Sequence, residues 1–484
     1  MEPEKPDLAA GGRFLLLAGC VAIGVFLRYR ACLTEFWLDE IWSLLIIKTS
    51  AVNGAWDIVA NLRHDNNHII NSLWLYWIGD TKNWYWYRLP ALLAGIGSIV
   101  AACSSARTEG RGAGLVAAFL TAFSFPLILY SSEARGYGPA VFFSLLAFYA
   151  LRDFFATGRT SRIFILNASA ALAAFSHPSF VYVFLGMASW SAARIFGGAE
   201  TGRHAPPRGL AGRVAEMAAL NAFPTLVFVF LYFAHLKGMK VGGGPHFTIM
   251  QAASDAAALA LGAPRSGLFG TSALLAVFGL TCGGVLKLYR EKDDLWVFYL
   301  STLILAPALV LAASRPKVIY FRYFVILIPF FYLFCARLIH DLWRISAKGK
   351  ILAAVLLALF LLGQSAHLLR FSEKGRGGCG RALAFMAEKT AGDTILVGSS
   401  DDYLNIKILT FYSQFLKPGK NIFYVSNADL PTDPPDWFIV VRHEPGLNLE
   451  NGIRIGKNHD YRLVRVFRYS GFSGLDWFLY QRFR

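Results

Sequence analysis

Residues 112–156, GAGLVAAFLTAFSFPLILYSSEARGYGPAVFFSLLAFYALRDFFA, decide the class of fold. The runs 112–131 and 138–156 each approach the roughly 20 apolar residues that cross a bilayer as a helix. Only Ser132-Glu133-Ala134-Arg135-Gly136-Tyr137 separates them. A link that short turns the chain straight back into the membrane, so the segment reads as a helical hairpin with a polar tip at one surface. The tip carries a carboxylate and a guanidinium, Glu133 and Arg135, where an uncharged turn would serve the hairpin equally well.

Working outward, the apolar pattern recurs. About eleven spans emerge when each is required to hold about 20 apolar residues. They lie near 13–32, 88–107, 112–131, 138–156, 161–177, 179–197, 216–236, 266–288, 294–313, 322–341 and 349–368. The first lacks a small-x-small cleavage site and leads into more membrane, so a retained anchor is expected. Composition agrees with a polytopic α-helical membrane protein: of 484 residues 55% are hydrophobic, only 16% are charged and 15% are aromatic. Many Trp and Tyr flank the runs, as interfacial belts require.

The formal charge of +16 sits mostly in short links, those holding Arg107/Arg111, Arg152/Arg159/Arg162, Arg194/Arg203/Arg208/Arg213, Lys287/Arg290/Lys292 and Arg337/Arg344/Lys348/Lys350. Placing all of these links in the cytoplasm satisfies the positive-inside rule and puts the N-terminus inside and the C-terminus outside. Basic stretches with interleaved aromatics, which would suit nucleic acid, are missing, so no nucleic-acid partner is expected. The six cysteines are scattered and form neither a CxxC metal site nor a disulfide framework.

The same topology leaves 33–87 as a long outer loop. Its segment 68–79 (HIINSLWLYWIG) is apolar but too short to cross, and reads as an interfacial helix. Residues 237–265 form a second outer loop, in which Lys240-Val-Gly-Gly-Gly-Pro245 suits a flap. Residues 1–368 thus make a transmembrane module. The polar tail 371–484 reads as a small extracytoplasmic α/β domain, with helices near 381–390 and 403–416 and strands near 394–398, 421–425, 437–442 and 462–468. It has no GxGxxG or P-loop, so no nucleotide site is expected there.

Four sets of polar residues fall on the outer face. Asp39-Glu40 follows the first span; a carboxylate at the bilayer edge can act as general base, or both acids can start a helix and cap its amides. Arg135, against the positive-inside trend, can grip a phosphate or carboxylate through two N–H groups, or pair locally with Glu133. Arg315, Lys317 and Arg322, within eight residues, suit an anionic leaving group or lipid headgroups. His64-Asp65 and His68 can hold a divalent metal, contact substrate, or start the interfacial helix. His177, in the short link before Pro178, can face the same cavity. Their clustering on one side is what points to chemistry there.

These residues carry a resemblance. Asp39-Glu40 soon after the first span, Arg88-Leu89-Pro90 opening the second and Ser132-Glu133-Ala134-Arg135-x-Tyr137 after the third resemble the GT-C glycosyltransferases. More narrowly, they are similar to the bacterial branch related to protein O-mannosyltransferases, aminoarabinose transferases (ArnT) and rhizobial RgtA/B/C/D galacturonosyltransferases. Arg322-Tyr323 before a span containing Pro329 is similar to another feature of that branch. The resemblance implies a polyprenyl-phosphate sugar donor, an outward-facing cavity, usually inversion at the anomeric carbon, and an acceptor outside the cytoplasm: a glycolipid such as lipopolysaccharide, a polysaccharide or a protein. By position, Asp39 would be the base and Glu40 its partner, and Arg135 would order the site. Arg315, Lys317, Arg322 and Tyr137 would meet the donor phosphate, and His64, Asp65, His68 and His177 the substrates. Where relatives often have His-Pro-Pro before the interfacial helix, this chain has Asn66-Asn67-His68. A transporter or lipid flippase is the rival reading; it calls for ionisable residues in mid-span and paired broken helices.

Overall fold

The computed structural model describes residues 8–197, 209–242, 247–265, 267–316, 318–430, 434–443, 449–455 and 459–483. The chain opens with α1 (Leu8–Cys32), α2 (Leu38–Ile46), α3 (Ala55–Ala60), α4 (Ile69–Ile78) and α5 (Tyr85–Ala106). Helices α6 (Arg111–Phe123), α7 (Phe125–Tyr130), α8 (Tyr137–Thr157), α9 (Ser161–Ser176), α10 (Val181–Phe196) and α11 (Leu210–Leu231) follow. Then come α12 (Ile249–Leu261), α13 (Gly267–Arg290), α14 (Leu295–Leu300), α15 (Ala306–Ser314), α16 (Ile328–Ile345) and α17 (Ala347–Lys374). The remainder is α18 (Cys379–Lys389), β1 (Thr394–Ser399), α19 (Asp402–Ser413), β2 (Asn421–Tyr424), β3 (Trp437–Arg442), β4 (Gly452–Ile455), β5 (His459–Phe467) and β6 (Asp476–Arg482).

Among the described residues, nine helices are long and apolar enough to cross a membrane. The other two expected spans are present in altered form: α6 and α7 are one span broken at Ser124, and α9 has only 16 residues. The segment expected to lie in the interface forms the ten-residue helix α4. The expected outer loop 237–265 differs from the structure, because 249–261 fold as α12. Thr248 caps it, accepting from Gln251 N at 3.1 Å while Gln251 Oε1 accepts from Thr248 N at 2.9 Å. At 13 residues the helix is too short to register as a span.

The chain divides into two compact units. The helical unit comprises Met1–Cys32, Asn53–Trp74 and Arg88–His367. Its helices differ in what they face. More than half of the apolar window of α8 is buried, whereas α13 and α11 expose Leu268, Phe269, Leu226 and Phe223. In water such a surface would aggregate; in a bilayer it is the lipid-facing side. At one end of this unit the basic links meet acids. Arg337 reaches Glu109 at 2.9 Å and also pairs with Asp293; Arg152 pairs with Glu109, Arg194 with Asp294 at 2.9 Å, and Lys287 with Asp341. The links that the charge pattern groups on one side therefore do lie together.

The second unit comprises Leu33–Val52, Leu75–Tyr87 and Leu368–Arg484. Its six-stranded sheet has the order β2-β1-β3-β6-β5-β4, with β1 parallel to β2 and β3 and the other pairs antiparallel. β6 goes unread in the sequence because its DWFLY half is buried on both faces and shows no alternation. β4, whose four residues Gly452–Ile455 include a glycine and an arginine, is also unread. Segment 33–52 is built into this unit by its own polar groups. Glu35 accepts from Gly380 N and Arg381 N at 3.0 and 3.2 Å, capping α18, and burial raises its carboxyl pKa. Tyr412 donates to Phe36 O at 2.7 Å, and the Phe36 and Phe411 rings stack at 5.2 Å.

Candidate active site

In the helical unit the hairpin tip is a buried knot. α7 ends at Tyr130, and Ser131 and Ser132 turn their hydroxyls back onto Leu127 O and Leu129 O at 2.6 and 2.7 Å. Arg135 N donates to Glu133 O at 2.7 Å, and Asn71 of α4 donates to Ala134 O at 2.7 Å. The tip then enters α8 through Gly136. A Cβ there would lie 1.9 Å from Ser176 O and 2.9 Å from the His68 Cβ, so only glycine allows the approach.

This crowding holds Arg135, only 2% exposed, against His68. Its Nε and one terminal nitrogen lie 3.3 and 3.1 Å from His68 Nε2, while His68 Nδ1 lies 3.3 Å from Ser176 O. The pattern assigns the ring hydrogen to Nδ1 and leaves Nε2 to accept from the guanidinium. Burial, and then the Arg135 charge, push the His68 pKa well below its ordinary value, so the ring is neutral at pH 7. His177 stacks on His68 at 5.1 Å, Tyr137 lies 4.4 Å from His177, and the Arg135 guanidinium sits 5.4 Å from the Tyr137 ring centroid. Arg322, over Tyr320 at 4.2 Å, also bears electrostatically on His68. Tyr323 lies 6.2 Å from His177. Arg135, Tyr137, His68 and His177 are thus brought together, with Arg322 near by.

His64 and Asp65 form a separate group. His64 Nδ1 is 2.9 Å from Asp65 Oδ1. Asp65 N donates to Lys240 O at 3.0 Å, and Gly242 N donates to Asp65 Oδ2 at 3.1 Å. Burial alone would raise the Asp65 carboxyl, but the bonds from His64 and Gly242 outweigh it and lower the pKa. The pair therefore pins the start of the second loop, whose residues 243–246 lie outside the described residues. Among the described residues no three His, Cys, Asp or Glu groups are arranged to hold a metal ion. Both ring nitrogens of His68 are engaged, so a trio with His64 and Asp65 does not fit a metal as it stands.

Arg315, at the end of α15, is exposed, and Lys317 lies outside the described residues. Asp39 and Glu40 belong to the second unit, in the first turn of α2. Glu40 is fully buried, and its Oε2 accepts from Trp37 N at 3.2 Å, so this carboxylate caps the helix. Asp39 is partly exposed, and its carbonyl accepts from Ser43 Oγ at 2.9 Å. Within that unit His443 feels the charges of both Asp401 and Asp39, although burial wins and lowers its pKa. Neither His443 nor Asp401 carries a motif that would single it out. Asn71 and Ser176, which hold the Arg135 knot, are likewise silent in the sequence.

No protein-family model and no curated protein sequence matches the chain. Solved structures do. ArnT from Cupriavidus metallidurans in the apo state is 12% identical and aligns over 90% of this chain and 93% of its own, with a TM-score of 0.51. The same protein bound to undecaprenyl phosphate aligns over the same shares at 13% identity and a TM-score of 0.47. The Archaeoglobus fulgidus oligosaccharyltransferase tethered with an acceptor peptide aligns over 84% of this chain at 11% identity and a TM-score of 0.47. The chain spans only 64% of that oligosaccharyltransferase. The likeness is one of fold: a polytopic helical membrane protein with a small C-terminal sheet domain. This is the GT-C fold.

Proposed function

We propose that this chain is a glycosyltransferase that moves a sugar from a polyprenyl-phosphate donor to an acceptor outside the cytoplasm. The observation that carries the reading is the buried Arg135–His68–His177–Tyr137 knot, with Arg322 beside it, in a chain of GT-C fold. The knot lies at the start of α8, about 22 Å along the helix from Arg152 and the ion pairs of the basic links. A lipid-phosphate donor keeps its chain in the bilayer and presents its reactive carbon at the surface. Fixed cations at that depth would stabilise the charge that grows on the departing phosphate.

In this reading Arg135 and Arg322 contact the donor phosphate, and His68, neutral and accepting from Arg135, fixes its direction. Arg315 and Lys317 supply further positive charge from the link after α15. Asp39 takes the proton of an acceptor hydroxyl as the oxygen attacks the anomeric carbon. The bond from that carbon to the phosphate oxygen breaks, polyprenyl phosphate leaves, and the proton rests on Asp39. Glu40 serves Asp39 by fixing the first turn of α2. His64 and Asp65 hold the loop at Lys240–Gly242 as an edge of the substrate cavity, and His177 and Tyr137 line its floor. The knot faces outward, with the N-terminus cytoplasmic and the C-terminal domain outside, in a bacterial inner membrane. Residues 1–368 act as the catalytic membrane module and 371–484 as the outer domain.

The test is purified protein in lipid with a panel of polyprenyl-phosphate sugars and acceptor-rich membrane extract. Loss of one donor with equimolar release of lipid phosphate is the expected result. Stability of every donor would refute the reading.

A further inference from the structure

The break between α6 and α7 has polar groups arranged around it that the proposed chemistry does not use. Ser124 is extended (φ −62°, ψ 113°), and Pro126 follows two residues later. Proline has no N–H, so Ala122 O loses its helical donor; the bend also takes Phe125 N–H away from Thr121 O. Two carbonyls and one amide are thus freed inside the apolar bundle, where each would be costly if left bare. All three are met by side chains from distant helices. Arg28 of α1 donates to Thr121 O at 3.0 Å and to Ala122 O at 3.1 Å. Gln364 of α17 accepts from Phe125 N at 2.8 Å through Oε1. Its Nε2 donates to Leu259 O at 2.9 Å, a carbonyl at the end of α12 whose backbone bond, from Gly262 N, is 3.3 Å long. The Tyr332 hydroxyl lies 3.0 Å from Ser124 Oγ and donates to Ala260 O at 2.9 Å.

Room has been left for this arrangement. A Cβ on Gly24 would come within 2.4 Å of Ile99 and 3.3 Å of the Arg28 guanidinium; one on Gly95 would strike Ser131 at 2.3 Å and lie 3.0 Å from Arg28 Nε. Arg28, Ser131 and Tyr137 line one small gap of about 10 Å3. α7 has only six residues and ends directly at the loop carrying Arg135, so its direction sets where that loop stands.

We propose that Arg28 and Gln364 are positioning residues: by satisfying the groups freed at Ser124–Pro126 they hold the helix break, and the break aims the Ser131–Tyr137 loop. Neither is one of the groups that hold Arg135 to His68; both act through α7. Their effect on turnover rests on the proposed role of Arg135, whereas their effect on the loop does not.

The experiment introduces Ala134→Cys, at a position fully buried in the knot, and measures its labelling by a membrane-impermeant maleimide in the full chain in nanodiscs. The parent chain corrects for native cysteines, and Thr410→Cys is the exposed control. With Gln364→Leu, labelling of Cys at 134 should quicken about tenfold or more as the knot opens locally. Gln364→Glu, which keeps the acceptor for Phe125 but loses the donor to Leu259, should fall between. Arg28→Lys, able to reach fewer carbonyls, should also deprotect, and it carries the test if Gln364→Leu does not fold. Donor turnover per folded molecule should fall in the same order. Unchanged protection at 134 in monodisperse Gln364→Leu or Arg28→Lys protein would overturn the proposal. Deprotection in a chain whose parent turns over no donor would uphold the positioning and refute the function proposed above.

Discussion

Gly136→Ala isolates the geometry of the knot from its chemistry. Gly136 has φ −77° and ψ −5°, which any residue adopts, so alanine meets no backbone objection and its effect is steric. The added Cβ would lie 1.9 Å from Ser176 O; reaching the 3.0 Å that real Cβ atoms keep needs about 1.1 Å of movement. The second neighbour, His68 Cβ at 2.9 Å, lies at the root of its side chain and yields little. Since Ser176 O faces His68 Nδ1 and His68 Nε2 accepts from Arg135, the movement passes straight to the guanidinium. A displacement of about 1 Å in a positioned group costs roughly a hundredfold in rate, or about 2.7 kcal/mol of barrier. Overpacking should also lower stability by about 1–3 kcal/mol. The assay is release of polyprenyl phosphate per folded molecule, with thermal unfolding in parallel. Gly54→Ala, where a Cβ meets nothing within 4 Å, is the control. Activity within about threefold of the parent would refute the idea that this contact sets Arg135.

Three further outcomes are expected. Arg135→Lys, which keeps the charge but loses the planar fork toward His68 and a phosphate, should lower turnover about a hundredfold; near-normal initial rates would argue against a phosphate role. Unfolded His68 takes up a proton near pH 6.5, whereas the buried folded ring does not. The unfolded state therefore binds more protons below that pH, and stability falls as pH is lowered. The parent should lose more melting temperature between about pH 7.5 and 5.5 than His68→Gln; equal losses would contradict the neutral ring. Glu109→Gln leaves Arg152 and Arg337, at 11% and 13% side-chain exposure, short of a shared carboxylate. It should destabilise by about 3 kcal/mol or more while leaving turnover per folded molecule unchanged, as read by denaturant titration and the release assay.

The membrane fold is legible in the sequence wherever apolar runs reach spanning length, and the links bearing Arg152, Arg194 and Arg337 group correctly by charge. What escapes has identifiable causes. α12 is an apolar helix too short to count as a span, and β6 hides because both its faces are buried. The break at Pro126 lies inside a continuous apolar run, so hydropathy passes over it. Arg28 and Gln364 look like incidental polar residues in their spans until the carbonyls and amide they satisfy are located. The Arg135 tip stands out because an isolated guanidinium in so short a link is unusual. Its partners do not, since His68, Asn71 and Ser176 meet it only through tertiary packing. Glu35, which caps α18, is one local reason that segment 33–52 folds with the C-terminal residues, and no periodicity signals it.

The most direct measurement of the central claim is transfer by Asp39→Asn protein in nanodiscs, with lipid-phosphate release and equilibrium donor binding followed together. A carboxamide keeps the size of the group and removes its basicity. Donor binding unchanged with release abolished is the predicted result. Release at the parent rate from a well-folded Asp39→Asn preparation would contradict it.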